Sequence, residues 1–248
     1  MKLFAELNRT QIREAAPRSL AVLPIGATEQ HGPHLPTGTD LFTVESVARE
    51  AAQAASSQIS LIVTPALPFG SSDHHLMYGA TLSLSTETYY KVLRELLESL
   101  VTDGFGKIFV LNGHGGNHEL AELAARDVAL RHPVNIAAGS YWSIAWEDLV
   151  RVKAHQGRRM PGHAGDFESS VMLSLRPQLA NSGWPHRDGE FSSDRLNRRP
   201  YRKETHEFWR KIDGYTDSPD QATAEKGTLF RSVIVKAVAQ AFTDFYSS

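Results

Sequence analysis

Residues 26–40 read GATEQHGPHLPTGTD, setting Glu29, His31, His34 and Asp40 among glycines, prolines and threonines that cannot sustain a helix. A second stretch, NGHGGN (112–117), places His114 between glycines. A third, PGHAGDFESS (161–170), brings His163, Asp166 and Glu168 close together. Glu29, His31 and Asp40 with His114 supply two carboxylates and two imidazoles, a hard-to-borderline donor set suited to divalent Zn, Mn or Fe. The chain has no cysteine, so any metal must rest on oxygen and nitrogen. Plainer readings stand beside this one. Thr39 or Asp40 can cap a helix that begins there, and NGHGGN can be a turn that cradles phosphate at a helix N-terminus. Asp166 and Glu168 can be acids favoured by the helix dipole, which is the preferred reading for Asp166. The phosphate reading is weakened because no GxxxxGK[ST] run and no GxGxxG spacing is present. Glycines around His114 fit better with a ligand approached closely by backbone. On a helix, His163 and Glu168 would point about 140° apart, so both can face one site only if His163 precedes the helix.

The elements that must position these residues alternate. Short apolar runs at 19–26, 59–70, 107–113 and 134–142, bounded by Gly, Pro or Asn, read as buried strands. Stretches of helical spacing lie between and after them. They run over Leu41 to Ser57, over Thr86 to Asp103 with Val92, Leu96, Leu97 and Leu100 on one side, and over Asn117 to Arg131 with Leu120, Leu123, Ala124 and Val128 on one side. Two more cover Asp166 to Leu175 and Thr223 to Tyr246. This order predicts an α/β fold with a mainly parallel sheet covered by helices on both faces. Residues 181–220 are polar and weakly periodic. They read as an excursion of the same 1–248 domain, since Trp184, Phe191, Tyr201, Phe208 and Trp209 need burying. In such sheets ligands collect beyond the carboxyl ends of the strands, where both 26–40 and 112–117 emerge.

Composition bounds the function class. The 248 residues are 41% hydrophobic and 22% charged with a net charge of −2, which gives no electrostatic reason to expect nucleic acid or an anionic membrane as partner. The N-terminal segment lacks the apolar stretch of a signal peptide and no 18-residue apolar run occurs, so a cytoplasmic protein is expected. Without an export signal the glycosylation-like triplet Asn8-Arg9-Thr10 carries no weight.

Taken together and in order, GATEQHGPHLPTGTD, NGHGGN, GHAGDFESS and ATAEKG (222–227) resemble the creatininase family of metal-dependent amidohydrolases, from about residue 10 to residue 240. The resemblance implies a three-layer α/β/α domain, two metal ions per subunit, hydrolysis of a small amide C–N bond and a ring-shaped homohexamer. It implies that Glu29, His31, Asp40 and His114 are metal ligands, with Asp40 bridging, and that His163 transfers protons. Creatinine hydrolases proper carry a glutamate two residues after the equivalent of His114; this chain has Gly116 there, and Glu168 is the candidate to fill that shell. Gly79-Ala80 stands where relatives have Pro-Gly. His75 matches a loop histidine near the family's active site, and Trp142, with Tyr141 and Trp146 after the last strand, is a candidate wall for the substrate. A cyclic amide, a formamide or a short peptide are the substrates implied, with Gly116 arguing mildly against creatinine. The run Arg195, Arg198, Arg199, Arg202, Lys203 reads as a solvated face, or else as a contact for an anion or a neighbouring subunit. Two readings from other classes compete: a nucleotide- or flavin-binding α/β domain, and a non-catalytic assembly protein stabilised by metal.

Overall fold

Five parallel strands form one sheet in the order β1-β3-β2-β4-β5, with β1 at Lys2–Leu3, β2 at Leu20–Ile25, β3 at Leu61–Val63, β4 at Lys107–Asn112 and β5 at Asn135–Ser140. The chain is described here by a computed structural model that covers residues 1–154, 160–180, 183–187 and 206–248. Phe191, Tyr201 and the Arg195 to Lys203 basic run lie outside those residues. The central strands are apolar on both sides because both sides are covered. Leu20, Val22, Phe109 and Leu111 face one core, while Ala21, Leu23, Ile25, Ile108 and Val110 face the other.

On the first face lie α2 (Thr39–Ala55), α5 (Tyr141–Ile144), α6 (Trp146–Arg151), α7 (Asp166–Leu175) and the C-terminal helix Ala224–Ser247; on the second lie α1 (Arg9–Ala15), α3 (Thr86–Thr102) and α4 (His118–Ala129). The expected three layers are present. Asn8 caps α1, accepting from the backbone N–H groups of Thr10 and Gln11, which accounts for the Asn8-Arg9-Thr10 triplet.

Two helices sit in a different register from the one their spacing suggested. α3 buries Tyr89, Leu93, Leu97 and Leu100 and leaves Leu96 exposed; α4 buries Ala121, Ala124, Ala125 and Val128 and leaves Leu123 exposed. In α3 the stripe that includes Tyr89 removes more apolar area from water than one running through Val92 and Leu96, so the ring decides the face. The expected strand 59–70 shortens to Leu61–Val63, and its remainder becomes a loop that meets β2 again at the isolated bridge between Leu67 and Ile25, while Gly70 bridges to Ser83 further along the loop. Further along that loop Gly79 and Ala80 both take positive φ, 74° and 49°, so the Gly-Ala pair makes a left-handed turn.

The motif ATAEKG anchors the last helix. Lys226 Nζ lies 3.0 Å from Asp166 Oδ2 at the start of α7, so Asp166 serves packing rather than the donor cluster.

Candidate metal centre

Glu29 and His31 occupy the loop after β2, Asp40 the first turn of α2, and His114 the loop after β4; His163 and Glu168 flank the start of α7, and His75 lies in the loop after β3. All seven side chains are buried at one edge of the sheet. Close approach of backbones makes this possible. A Cβ at Gly113 would lie 2.6 Å from Val44 Cβ and 3.1 Å from the Asp40 carbonyl oxygen, so only glycine lets the end of β4 rest on α2 and bring His114 to Asp40. Neither Thr39 nor Asp40 caps α2. The cap position is Gly38 without a side-chain bond, which leaves the Asp40 carboxylate free to face the histidines.

Asp40 stands in the middle. Its Oδ1 lies 3.2 Å from His31 Nε2 and its Oδ2 3.0 Å from His114 Nδ1. On one side Glu29 Oε1 is 3.3 Å from His114 Nδ1; on the other Glu168 Oε2 is 3.8 Å from His31 Nε2. His31 Nδ1 is 3.1 Å from the Glu29 carbonyl and His114 Nε2 is 3.1 Å from the Ser71 carbonyl. Each ring can therefore donate one N–H to backbone while its other nitrogen faces the carboxylates, the orientation that metal-binding imidazoles take. Both Glu29 oxygens, Asp40 Oδ2 and His31 Nε2 are buried without a hydrogen-bond partner. Orphaned polar atoms cost about 1–3 kcal/mol each, so facing one another they make sense as donors to cations. Among the described residues three overlapping groups can hold an ion: Glu29, His74 and His114; Glu29, His31 and His163; and His31, Asp40 and Glu168.

Electrostatics argue the same way. Burial opposes charge on His31, yet Asp40, Glu168 and Glu29 outweigh it and push its pKa up to about 10. Burial first, then Asp40 and Glu29, drive Glu168 up to about 8 against the pull of His31 and the Ala164 N–H. Against burial, His114 and His75 hold Glu29 well below the usual carboxylate range, and His31 and His114 hold Asp40 below it. Three carboxylates in one closed space require positive charge beside them. His163 is pushed well below 6.5 by burial and then by His75 and His31, and burial sends His75 down to about 3, so both are neutral at pH 7.

Gln30 holds the neutral pair. Its Nε2 is 2.9 Å from His75 Nδ1, to which it donates, and 3.0 Å from His163 Nε2, whose own N–H donates instead to the Gln30 backbone carbonyl at 2.9 Å. His163 Nδ1 consequently faces Glu29 Oε1 at 3.6 Å. His163 precedes α7, as simultaneous access with Glu168 requires. Asn117 ties three loops: its Nδ2 donates to the Gly26 carbonyl and its Oδ1 accepts from the Ser71 N–H, each at 3.0 Å.

Trp142 packs edge-on against Tyr141 with centroids 5.0 Å apart and belongs to the core on the α2 face. Tyr141, not Trp142, senses the carboxylates: its phenol pKa is raised first by burial, then by Glu168 and Asp40. Gln30 and His74 were not singled out from the sequence. The only signals were an amide between two candidate ligands and a histidine next to His75.

His34 stands apart from the donor groups. Its Nε2 donates to the Ala164 carbonyl at 3.0 Å and lies 3.2 Å from Ser169 Oγ. Burial is the main reason its pKa falls from 6.5 to about 4. Between those values the unfolded chain binds more protons than the folded one, so this contribution is complete above about pH 6.5 and is lost as pH falls toward 4. The difference is worth up to about 3 kcal/mol. His34→Gln, which keeps the bond to Ala164, is expected to flatten the decline of denaturant stability across that window relative to the unaltered chain; an unchanged pH profile would refute the assignment.

The family model described as creatinine amidohydrolase matches residues 5–242. The chain belongs to the creatininase family. A creatinine amidohydrolase of Pseudomonas putida is 26% identical over 251 residues, covering 94% of this chain and 92% of the relative. A mycofactocin precursor peptide peptidase of Mycobacterium tuberculosis is 33% identical over 165 residues, covering 63% and 58% respectively, and a 3-dehydro-scyllo-inosose hydrolase of Thermotoga maritima is 28% identical over 185 residues, covering 73% and 58%. The chain thus spans a little under three fifths of the length of these last two relatives. A solved structure described as creatininase Mn superposes with a TM-score of 0.80 at 23% identity over 99% of both chains, which supports the fold.

Proposed function

We propose that this chain is a metal-dependent amidohydrolase that cleaves an amide C–N bond in a small cyclic amide, a formamide or a short peptide. One observation carries the reading: polar atoms of Glu29, His31 and Asp40 that lack hydrogen-bond partners are buried facing one another, where cations would satisfy them. Two divalent ions suit the donors, one at Glu29 and His114, the other at His31 and Glu168, with Asp40 shared because its oxygens address different histidines. Such ions supply positive charge that makes water more acidic and an amide carbonyl more electrophilic. With Nε2–H on the Gln30 carbonyl, His163 Nδ1 accepts a proton from the attacking water and delivers it to the departing nitrogen, which leaves badly as an anion. Its low pKa keeps Nδ1 bare at neutral pH. Glu29, 3.6 Å from Nδ1, stabilises the imidazolium while it lasts.

Relatives that act on creatinine and on a precursor peptide favour an amide substrate. Creatinine itself fits less well. A side chain at 116 would meet the Ser71 carbonyl oxygen at 2.1 Å, so a glutamate has no room there, and Glu168 takes the place beside His31 and Asp40. That carbonyl, an acceptor, also speaks against NGHGGN as a phosphate cradle, which needs donors. Among the described residues no helix is long and apolar enough to cross a membrane. We read the protein as a cytoplasmic single-domain homo-oligomer, a hexamer by family likeness.

The test is elemental analysis of protein purified without added metal, followed by assay of cyclic amides, formamides and short peptides for released ammonia, formate or amine. About two ions per chain and metal-dependent amide cleavage are expected. No bound metal, with a melting temperature indifferent to chelator, would overturn the proposal.

A further inference from the structure

The loop after β3 brings a donor that no sequence motif announced. A ring nitrogen of His74, an oxygen of Glu29 and a nitrogen of His114 lie within 4.8 Å of one another. The His74 ring is parallel to that of His114, with planes 3° and centroids 5.9 Å apart, and it is braced by Trp209 at 4.3 Å and His75 at 4.2 Å. What His74 approaches is a carboxylate whose two oxygens are buried and unpartnered, not a solvated surface acid. The bonds that place His74 are tertiary: Ser71 N–H is fixed by Asn117 and Ser72 N–H by Ser83 Oγ at 2.8 Å. His74 Cε1 also stands 3.2 Å from where a Cβ at 116 would be, so the missing side chain of Gly116 is what lets this loop close over His114.

We propose that His74 is a further donor to the ion held by Glu29 and His114. This inference rests on the reading of that pair as a metal site. With it, this end of the centre presents two imidazoles and one carboxylate besides Asp40. Imidazole suits zinc and other borderline ions, whereas carboxylate and water suit manganese, so His74 biases this position toward zinc. A neutral donor in place of an anionic one also leaves more positive charge at the ion, which favours polarisation of a carbonyl.

The test measures zinc and manganese affinities by competition with a chromophoric chelator, for the unaltered chain, His74→Ala and His74→Glu. His74→Ala is expected to keep one ion at unaltered affinity and to hold the other about tenfold to a hundredfold more weakly, no less than the loss of an outer hydrogen-bond partner. His74→Glu is expected to hold both ions and to move the preference of the affected position toward manganese. Circular dichroism and the melting temperature of the chelated variants confirm that the fold is retained. Unaltered affinity for both ions in His74→Ala, or loss of both together, overturns the assignment; a His74→Glu variant with unshifted preference overturns the bias toward zinc. An unaltered chain that binds no ion sinks the metal-centre reading itself, whereas two ions with an indifferent His74→Ala sink this inference alone.

Discussion

Asp40→Ala is expected to empty both ion positions at once. Each Asp40 oxygen is committed to a different histidine, Oδ1 to His31 and Oδ2 to His114, so one substitution withdraws a donor from each half of the centre. On the proposed two-ion reading it also removes the anion that would keep two like-charged cations adjacent. Removing an outer partner of a metal ligand costs about 10–100-fold in affinity; loss of a shared ligand should exceed that, and amide turnover should fall by about a thousandfold or more. Elemental analysis and turnover, read on the same preparation, give the answer. Asp40→Asn, which keeps the shape and discards the charge, guards against misfolding as the explanation. Near-normal ion content in both variants would mean that Asp40 does not join the two halves.

The second large effect belongs to His163. His163→Ala should lower turnover by about 10²–10⁴-fold, the usual contribution of a positioned acid–base group, while ion content stays unchanged. The separation matters because His163 also lies in a possible donor group with Glu29 and His31. Should metal and activity fall in step, His163 is a ligand and the proton carrier must be sought elsewhere, with His75 the nearest alternative, stacked on it with centroids 4.0 Å apart.

Much of this was legible in the chain. Buried strands announce themselves by unbroken apolar runs, and α7 spans the Asp166 to Leu175 that its spacing suggested. The donors converge because Ile25 and Asn112 end neighbouring parallel strands, so anything following either must meet at one edge. Packing competition was harder to read. Whether Leu96 or Leu93 faces inward depends on Tyr89 beside them, and whether Trp142 or Tyr141 approaches the carboxylates depends on the core behind both. The loop after β3 was the least accessible. It has no periodicity, and its path is set by residues far along the chain, Asn117 above all, which is why His74 emerged only in three dimensions. Gln30 escaped for another reason: an uncharged amide raises no chemical flag until the two rings it grips are seen together.

The bonds of Asn117 bear on kinetics. A carboxamide that fastens the exits of β2, β3 and β4 through bonds between protein groups is expected to hold the receptacle in shape whether or not it is filled. Stripped protein should then reload in a simple concentration-dependent step with no lag, paced by entry of the ion and not by rebuilding of the loops.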